Sequence, residues 1–408
     1  MVTLTTQRQQ AVPTPTWTLH YGQKDITHDI TPDVLGIRFT DQLSGQSDEL
    51  TVELEDSAGR WRGAWYPGKG DTLSLALGMV GAPLRPCGTF SIDEIELSGP
   101  PDTVSLRGLS ASVTSALRTR SYRAFEQTTL AAIARRIAQK HHLTLEGQIA
   151  PLPLDRVTQQ HETDLAFLRR LAEEYGYIVK VTPHTLVFSE RIRLREASPV
   201  NVITPQAVSH YSLRDTLNRI YQQGKVKYQD SQRKQLVTVG IKADGTIGEV
   251  ARETAPQKQG RSTSADTLRL HSRARSQEEA TAKVCAGLNR HNEYQRVATV
   301  ALAGNTAYRA GLTVRLDAFG RLSGVWLMTE VRHALSRQSG YTCELTLGQG
   351  PMARTNRKTT RADQSATQQV IGVNADGSVG PLNEKETIRG EKNNDERTAI
   401  DVRYHQPD

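Results

Sequence analysis

The sequence predicts an α+β fold dominated by β structure, with two similar β-barrels on either side of an inserted α/β segment. Three observations carry that prediction. Residues 17–110 alternate apolar and polar side chains in six short runs. From residue 128 the apolar spacing changes to three and four, the period of a helix packed on one face. Residues 297–347 then return to alternation, in an order that matches the first region. A chain of 408 residues has room for two or three domains of ordinary size. The expected division is a first barrel at 1–115, the insert at 116–200, a second barrel at 201–350 with a capping helix at 276–293, and a tail at 351–408.

In the first region WTLHYG, GIRFTD, ELTVELED, DTLSLALG, TFSIDEIEL and TVSLRGL are separated by Gly, Pro, Asp or Ser, the residues that turn a chain. Six such strands without a convincing helix make a compact barrel or sandwich. TTLAAIARRIAQKHHL places Leu130, Ile133 and Ile137 on one helical face, with Thr128 as its N-cap. LTLEG is a short strand, and APLPLD is a proline-rich crossover. A second helix from Thr163 to Tyr175 follows, with Leu165, Leu168, Leu171 and Tyr175 as its apolar stripe and Gly176 as its left-handed cap. YIVKV, the turn TPH and TLVFS read as a hairpin. The polar stretch from 201 to 275 holds KVKYQD and LVTVGIK as strands. In SQEEATAKVCAGLNRHNEY, Ser276 and Glu279 have capping-box spacing, and Ala280, Val284 and Leu288 share a face. VATVALAG, LTVRLD, VWLMTEVRHAL and YTCELTL close the ordered chain.

Placing Gly88 on Gly324 aligns the two strand-rich regions. Phe90 then meets Trp326, Ile92 meets Met328, Glu94 meets Glu330 and Ile95 meets Val331. DTLSL behind Gly70 meets LTVRL behind Gly311, and VSLRGL meets CELTLG. The pairing points to an internal duplication. The tail from about Pro351 is poor in apolar residues and rich in Thr, Asn and Gln, a composition that leaves it extended or disordered unless a partner orders it. NADGSVG at 374–380 echoes KADGTIG at 242–248; each Asp-Gly suits a tight hairpin, and the two read as independent turns.

Composition excludes several function classes. Charged residues make up 23% and apolar residues 37%, and no run reaches the roughly 18 apolar residues of a spanning helix. No stable membrane insertion is expected. MVTLTTQRQQAVPTPT lacks the charged start and apolar core of a signal peptide, so synthesis in the cytoplasm is expected. The net charge of +7 is dispersed, so direct nucleic-acid recognition is not expected either. Cys87, Cys285 and Cys343 are far apart and form no CxxC pair, which predicts buried thiols rather than a zinc site or disulfides.

Catalytic constellations also fail on spacing. His161-Glu162 opens like a zinc-protease motif, but the fifth position is Leu165, so the second imidazole is missing. GLSAS at 108–112 falls one residue short of a nucleophile elbow and follows a strand of an all-β region. His141-His142 ends a helix, where positive charge suits the dipole. Glu162 and Asp164 could be a glycosidase pair, which needs carboxylates about 5 to 9 Å apart, but Asp164 fits the first helical turn as a dipole partner. No phosphate-binding glycine loop is present. The residues predict no catalytic, cofactor or metal site.

QHETDLAFLRRLAEEYGY at 160–177 resembles the signature of the phage late control gene D family. Gln160, Glu162, Asp164, Phe167, Leu168, Leu171, Ala172 and Gly176 match, with Thr163 where that family usually has Ser. The resemblance extends over about residues 17–350, taking in DITHDITPDVLGIRFTDQLSGQSDELTVELED, GTFSIDEIELSGPPDTVSLRG, TTLAAIARRIAQKHHL and WLMTEVRHALSRQSGYTCELTL. It implies a structural hub of a contractile tail baseplate, similar also to the N-terminal part of VgrG spikes. Two tube-like barrels per chain would form a pseudo-sixfold ring in a homotrimer, adapting a sixfold tail tube to a threefold spike. Implied partners are the tube, the spike, the baseplate wedge and a tape measure protein. The implied location is the baseplate of a virion or tailocin assembled in a bacterial cytoplasm. Only 58 residues follow position 350, so a separate spike polypeptide is expected. The alternative functions are a tail-associated peptidoglycan hydrolase and a VgrG-like component of type VI secretion.

Overall fold

In the computed structural model the described residues are 14–110, 119–182, 184–216, 220–230, 235–243, 247–253, 267–350, 353, 371–373 and 379–381. The first strand set comprises β1 (Pro15–Tyr21), β2 (Lys24–Asp25), β3 (Val34–Gln42), β4 (Glu49–Glu55), β5 (Thr72–Met79), β6 (Arg85–Ser98) and β7 (Thr103–Ser110). Its spatial order is β3-β4-β7-β6-β5-β1-β2. Alternation decides which face is buried. In β4, Leu50, Val52 and Leu54 point into the core and the intervening Glu49, Thr51, Glu53 and Glu55 stay partly exposed. Leu19, Phe39, Leu73, Leu75, Phe90, Ile92 and Leu106 complete that core. One short helix, α1 (Thr27–Ile30), lies within this region, where the sequence suggested none.

The insert begins with β8 (Arg120–Thr129) and α2 (Leu130–Lys140), continues through β9 (Thr144–Glu146), β10 (Pro153–Thr163) and α3 (Asp164–Tyr175), and ends with β11 (Tyr177–Val181), β12 (Thr185–Glu190) and α4 (Arg191–Glu196). β11-β12-β9 form one sheet and β8 pairs with β10 in another. Ile133, Ile137, Phe167, Leu168, Leu171, Val179 and Phe188 fill the core between them. Two expectations need correction. Thr129, not Thr128, caps α2: its hydroxyl accepts the Ala132 N–H at 3.2 Å. The proline-rich crossover is the start of strand β10, whose inward positions are Leu154, Val157 and the polar Gln159, so its alternation is masked.

The second strand set is β13 (Val202–Ile203), β14 (Val208–Asp215), β19 (Arg296–Ala303), β20 (Thr313–Leu316), β21 (Gly324–Ser336) and β22 (Gly340–Gln349), in the order β14-β19-β22-β21-β20-β13. Between β14 and β19 the chain departs into a separate sheet of β15 (Gln223–Asp230), β16 (Gln235–Lys242), β17 (Ile247–Glu253) and β18 (Thr267–Leu270). Helix α5 (Gln277–Asn292) covers it, burying Ala280, Val284 and Leu288 against Val226, Val237, Val239 and Ile241. Ser276 accepts the Glu279 N–H at 3.1 Å as foreseen, but the Glu279 carboxylate takes the N–H of Arg275 rather than that of Ser276. The region read as one barrel with a capping helix thus contains a second insert with its own core.

The two strand sets repeat each other in detail. β1-β3-β4-β5-β6-β7 and β13-β14-β19-β20-β21-β22 occupy the same places in chain order and in space. Gly70 N–H bonds Ile92 C=O and Ile92 N–H bonds Asp71 C=O; Gly311, Met328 and Leu312 reproduce both bonds. Gly70 and Gly311 share a φ of +93°, and Gly88 and Gly324 stand at +128° and +142°. The irregularity between Ile92 and Glu94 recurs between Met328 and Glu330. One pairing differs: β1 is antiparallel to β5, whereas β13 is parallel to β20. The sets meet where β3 pairs antiparallel with residues 330–336 of β21, making one continuous sheet.

Residues 357–408 form a separate unit, in which β23 (Ile371–Val373) and β24 (Val379–Pro381) pair antiparallel, and residues 374–378, expected as a tight turn, lie outside the described residues. The rest of the expected extended tail lies outside the described residues.

Candidate functional site

The signature segment is built around one buried carboxylate. β10 carries an extra residue, His161 at φ +51°, between Gln160 and Glu162. His161 is exposed and precedes the helix, so it shares no helical face with a metal ligand. Thr163 then caps α3, accepting the Ala166 N–H at 3.1 Å. Asp164 follows with no exposed surface. Its carboxylate receives Arg123 from β8, Lys140 and His141 at the end of α2 (2.7 Å each), and Gln159 from β10 at 2.9 Å. Burial pushes its pKa upward, but hydrogen bonds from Lys140, Gln159 and His141 and the charge of Arg123 outweigh that and bring it to about 2. The carboxylate is thus charged at neutral pH and ties four elements together. It was expected to answer the α3 dipole alone, and His141 to act only as a helix end.

The other signature residues support this centre. Glu162 is held by Arg170 at 3.1 Å, which also reaches Glu174 and the Thr158 carbonyl. Phe167 stacks on Phe125 at 5.6 Å, and Leu168, Leu171 and Ala172 are buried. Leu165, expected on the stripe, is only half-buried. Gln160 is exposed, opposite Tyr122. Gly176 caps α3 at φ +80°, and a Cβ there would lie 3.3 Å from that of Ala286, so the glycine also lets α5 approach. Tyr175 hydroxyl donates to Glu279 of α5 at 2.9 Å. Glu162 and Asp164 are both engaged by cations, and neither is arranged as a proton donor across a cleft.

A second polar centre lies where the insert meets the strand sets. Lys180 of β11 donates to Asp41 of β3, to Asp48 at 3.0 Å and to the Gln42 carbonyl, and Asp41 also accepts the Ala310 N–H. Burial lowers the Lys180 pKa, but the two carboxylates raise it further, keeping the ammonium charged. Beside it on β21, His333 is buried, stacked on Phe39 at 5.7 Å, with Tyr341 Oη at 2.9 Å and Cys343 Sγ at 3.1 Å. Desolvation brings the imidazole pKa down to about 4. Cys285 and Cys343 are buried free thiols and Cys87 is half-buried. Among the described residues no group of three or more His, Cys, Asp or Glu could hold a metal ion, and no helix is long and apolar enough to cross a membrane. Ser110 of the GLSAS stretch ends β7, and residues 111–112 lie outside the described residues.

Comparison with known proteins places these features in a family. Over 179 residues the chain is 34% identical to the probable baseplate hub protein of Escherichia phage P2, and over 176 residues 31% identical to that of Escherichia phage 186. Each match covers 43% of this chain and 45% and 44% of those proteins, so the aligned region spans under half the length of these curated relatives. The fold is similar to a tail protein from Neisseria meningitidis MC58 (TM-score 0.59, 13% identity, 82% of this chain and 97% of that one). It is also similar to the 43 kDa tail protein of prophage MuSo2 from Shewanella oneidensis (TM-score 0.56, 15% identity, 82% and 98%). The family these comparisons point to is structural rather than enzymatic. Residues 92–339, more than half the chain, match the family model of the phage tail baseplate hub (GPD), and the chain belongs to that family.

Proposed function

We propose that this protein is the hub of a contractile tail or a related injection particle, acting as a homotrimeric symmetry adapter. The two strand sets serve as tube-like barrels, within residues 1–115 and 201–350, and the insert at 116–200 buttresses the place where they join. Three chains supply six repeats. Such a ring offers six similar positions to a sixfold tail tube and three to a threefold spike protein, so the mismatch is absorbed inside each chain. Its contacts are heterologous and close on themselves. Baseplate wedge and tape measure proteins are further partners, and assembly takes place in the host cytoplasm. The observation that carries this reading is the repeat, which matches in strand order, in the two Gly70 and Gly311 bond pairs and in the position of the irregularity. A repeat that matches at that level within one chain has a use if both halves bind the same kind of neighbour.

Light scattering on the purified chain tests the stoichiometry. The expected mass is three times 45.1 kDa at high protein concentration. A chain that stays at the mass of one copy throughout a concentration series to the millimolar range overturns the trimer.

A further inference from the structure

The repeat leaves two strand edges open at corresponding places. On β21, β20 pairs with residues 324–327 and β3 with residues 330–336. On β6, β5 pairs with residues up to Ser91, and no described strand lies on that side of Glu94–Ser98. The counterpart of β3 in the second set is β14, which has β19 on one edge and no described strand on the other. A long bare edge is a template for further pairing unless something guards it. Large apolar side chains on both strands are exposed: Leu97 is 43% and Tyr211 48% accessible.

The register follows from the repeat. β3 and β14 carry the same irregularity, Val34 to Gly36 and Val208 to His210, against the matching strands β4 and β19. Ile37 therefore corresponds to Tyr211, Phe39 to Leu213, Thr40 to Arg214 and Asp41 to Asp215. Likewise Glu94, Ile95, Glu96, Leu97 and Ser98 correspond to Glu330, Val331, Arg332, His333 and Ala334. Inside the chain, His333 lies opposite Phe39. Resting on the ring reading above, we infer that Glu94–Ser98 of one copy pairs antiparallel with β14 of a second copy, with Leu97 opposite Leu213. The β3–β21 junction is the template, so the same contact is made within each chain and between chains.

Side chains at the transferred positions are complementary. Glu96 falls opposite Arg214, and both are exposed. Leu97 and Leu213 take the places of His333 and Phe39, which stack at 5.7 Å, and so continue the apolar face across the boundary. Tyr211 falls opposite Gly99, beside an open cleft of about 380 Å³ lined by Asp56, Arg62, Leu97, Ser98, Pro100 and Asp102.

Two sets of variants of the full chain test the register. In antiparallel strands, hydrogen-bonded and non-hydrogen-bonded pairs alternate, and the closer non-hydrogen-bonded pair suits a disulfide. One of the two adjacent double variants, Leu97→Cys with Leu213→Cys or Ser98→Cys with Ser212→Cys, should therefore oxidise to a covalent species of three chains, while each single variant should not. Charge exchange supplies the second readout. E96R alone and R214E alone should each weaken association about tenfold, and the two together should restore it. A trimeric mass with no crosslink at either pair and no rescue by the double exchange overturns the register and leaves the ring standing. A chain that never leaves the monomer overturns both.

Discussion

Asp164 sits fully buried and charged, an arrangement tolerated only because Arg123, Lys140, His141 and Gln159 converge on it. Removing the charge strands three basic side chains at the junction of β8, β10, α2 and α3. Asp164→Asn is expected to cost about 3 kcal/mol, the scale of breaking a buried pair. Amide hydrogen exchange in α3, compared with that in β4, reads this locally; equal protection in variant and parent would show the cluster to be dispensable. The sign with pH follows from the lowered pKa. The folded carboxyl titrates near 2 and the unfolded one near 3.8, so its stabilisation is whole above about pH 4 and fades as the pH falls toward 2. The residues from Gln160 to Gly176 were singled out in the sequence by resemblance. Their partners were not, because Arg123, Lys140, His141 and Gln159 are ordinary polar residues spread over the preceding 41 positions and meet only once β8 pairs with β10. The one available signal was Gln159, two residues after Val157 on the inward side of a strand.

Strands whose apolar residues alternate strictly were readable from sequence, as β4 and β22 show, since one face of each is buried and the other is not. β8 was missed because only Phe125 among its residues is buried, and β14 because most of its side chains are exposed. The repeat was also legible, and the structure sharpens it at Gly70 and Gly311. Both have φ +93°, in the half of the map where a side chain is strained, but their surroundings differ. A Cβ at Gly70 meets nothing within 4 Å, whereas at Gly311 it lies 3.2 Å from Leu43. Gly70→Ala is expected to cost about 1 to 2 kcal/mol from backbone strain. Gly311→Ala should cost measurably more, as a larger fall in urea midpoint; equal losses would mean that Leu43 gives way freely.

At the scale of the molecule, the seam between the two strand sets carries a titratable group at its centre. His333 stands against Phe39 across the seam, and its folded pKa of about 4 lies below the ordinary value of 6.5. The unfolded chain therefore takes up a proton that the folded chain refuses. Stability from this group is intact above pH 6.5 and falls as the pH drops toward 4, by about 3 kcal/mol over the whole interval. His333→Leu, which copies the residue at the corresponding Leu97, should flatten the urea-midpoint profile between pH 6.5 and 4. An unchanged slope would place the proton uptake elsewhere. The same seam has a geometric consequence. Within one chain the rotation from one strand set to the next is fixed by a hydrogen-bonded stretch of sheet before any two molecules meet, so in the proposed ring each chain would carry a finished sample of the angle to be repeated. In that proposed ring, a substitution that twists β3 against β21 by a few degrees would be read out, multiplied around the circuit, as a failure to close.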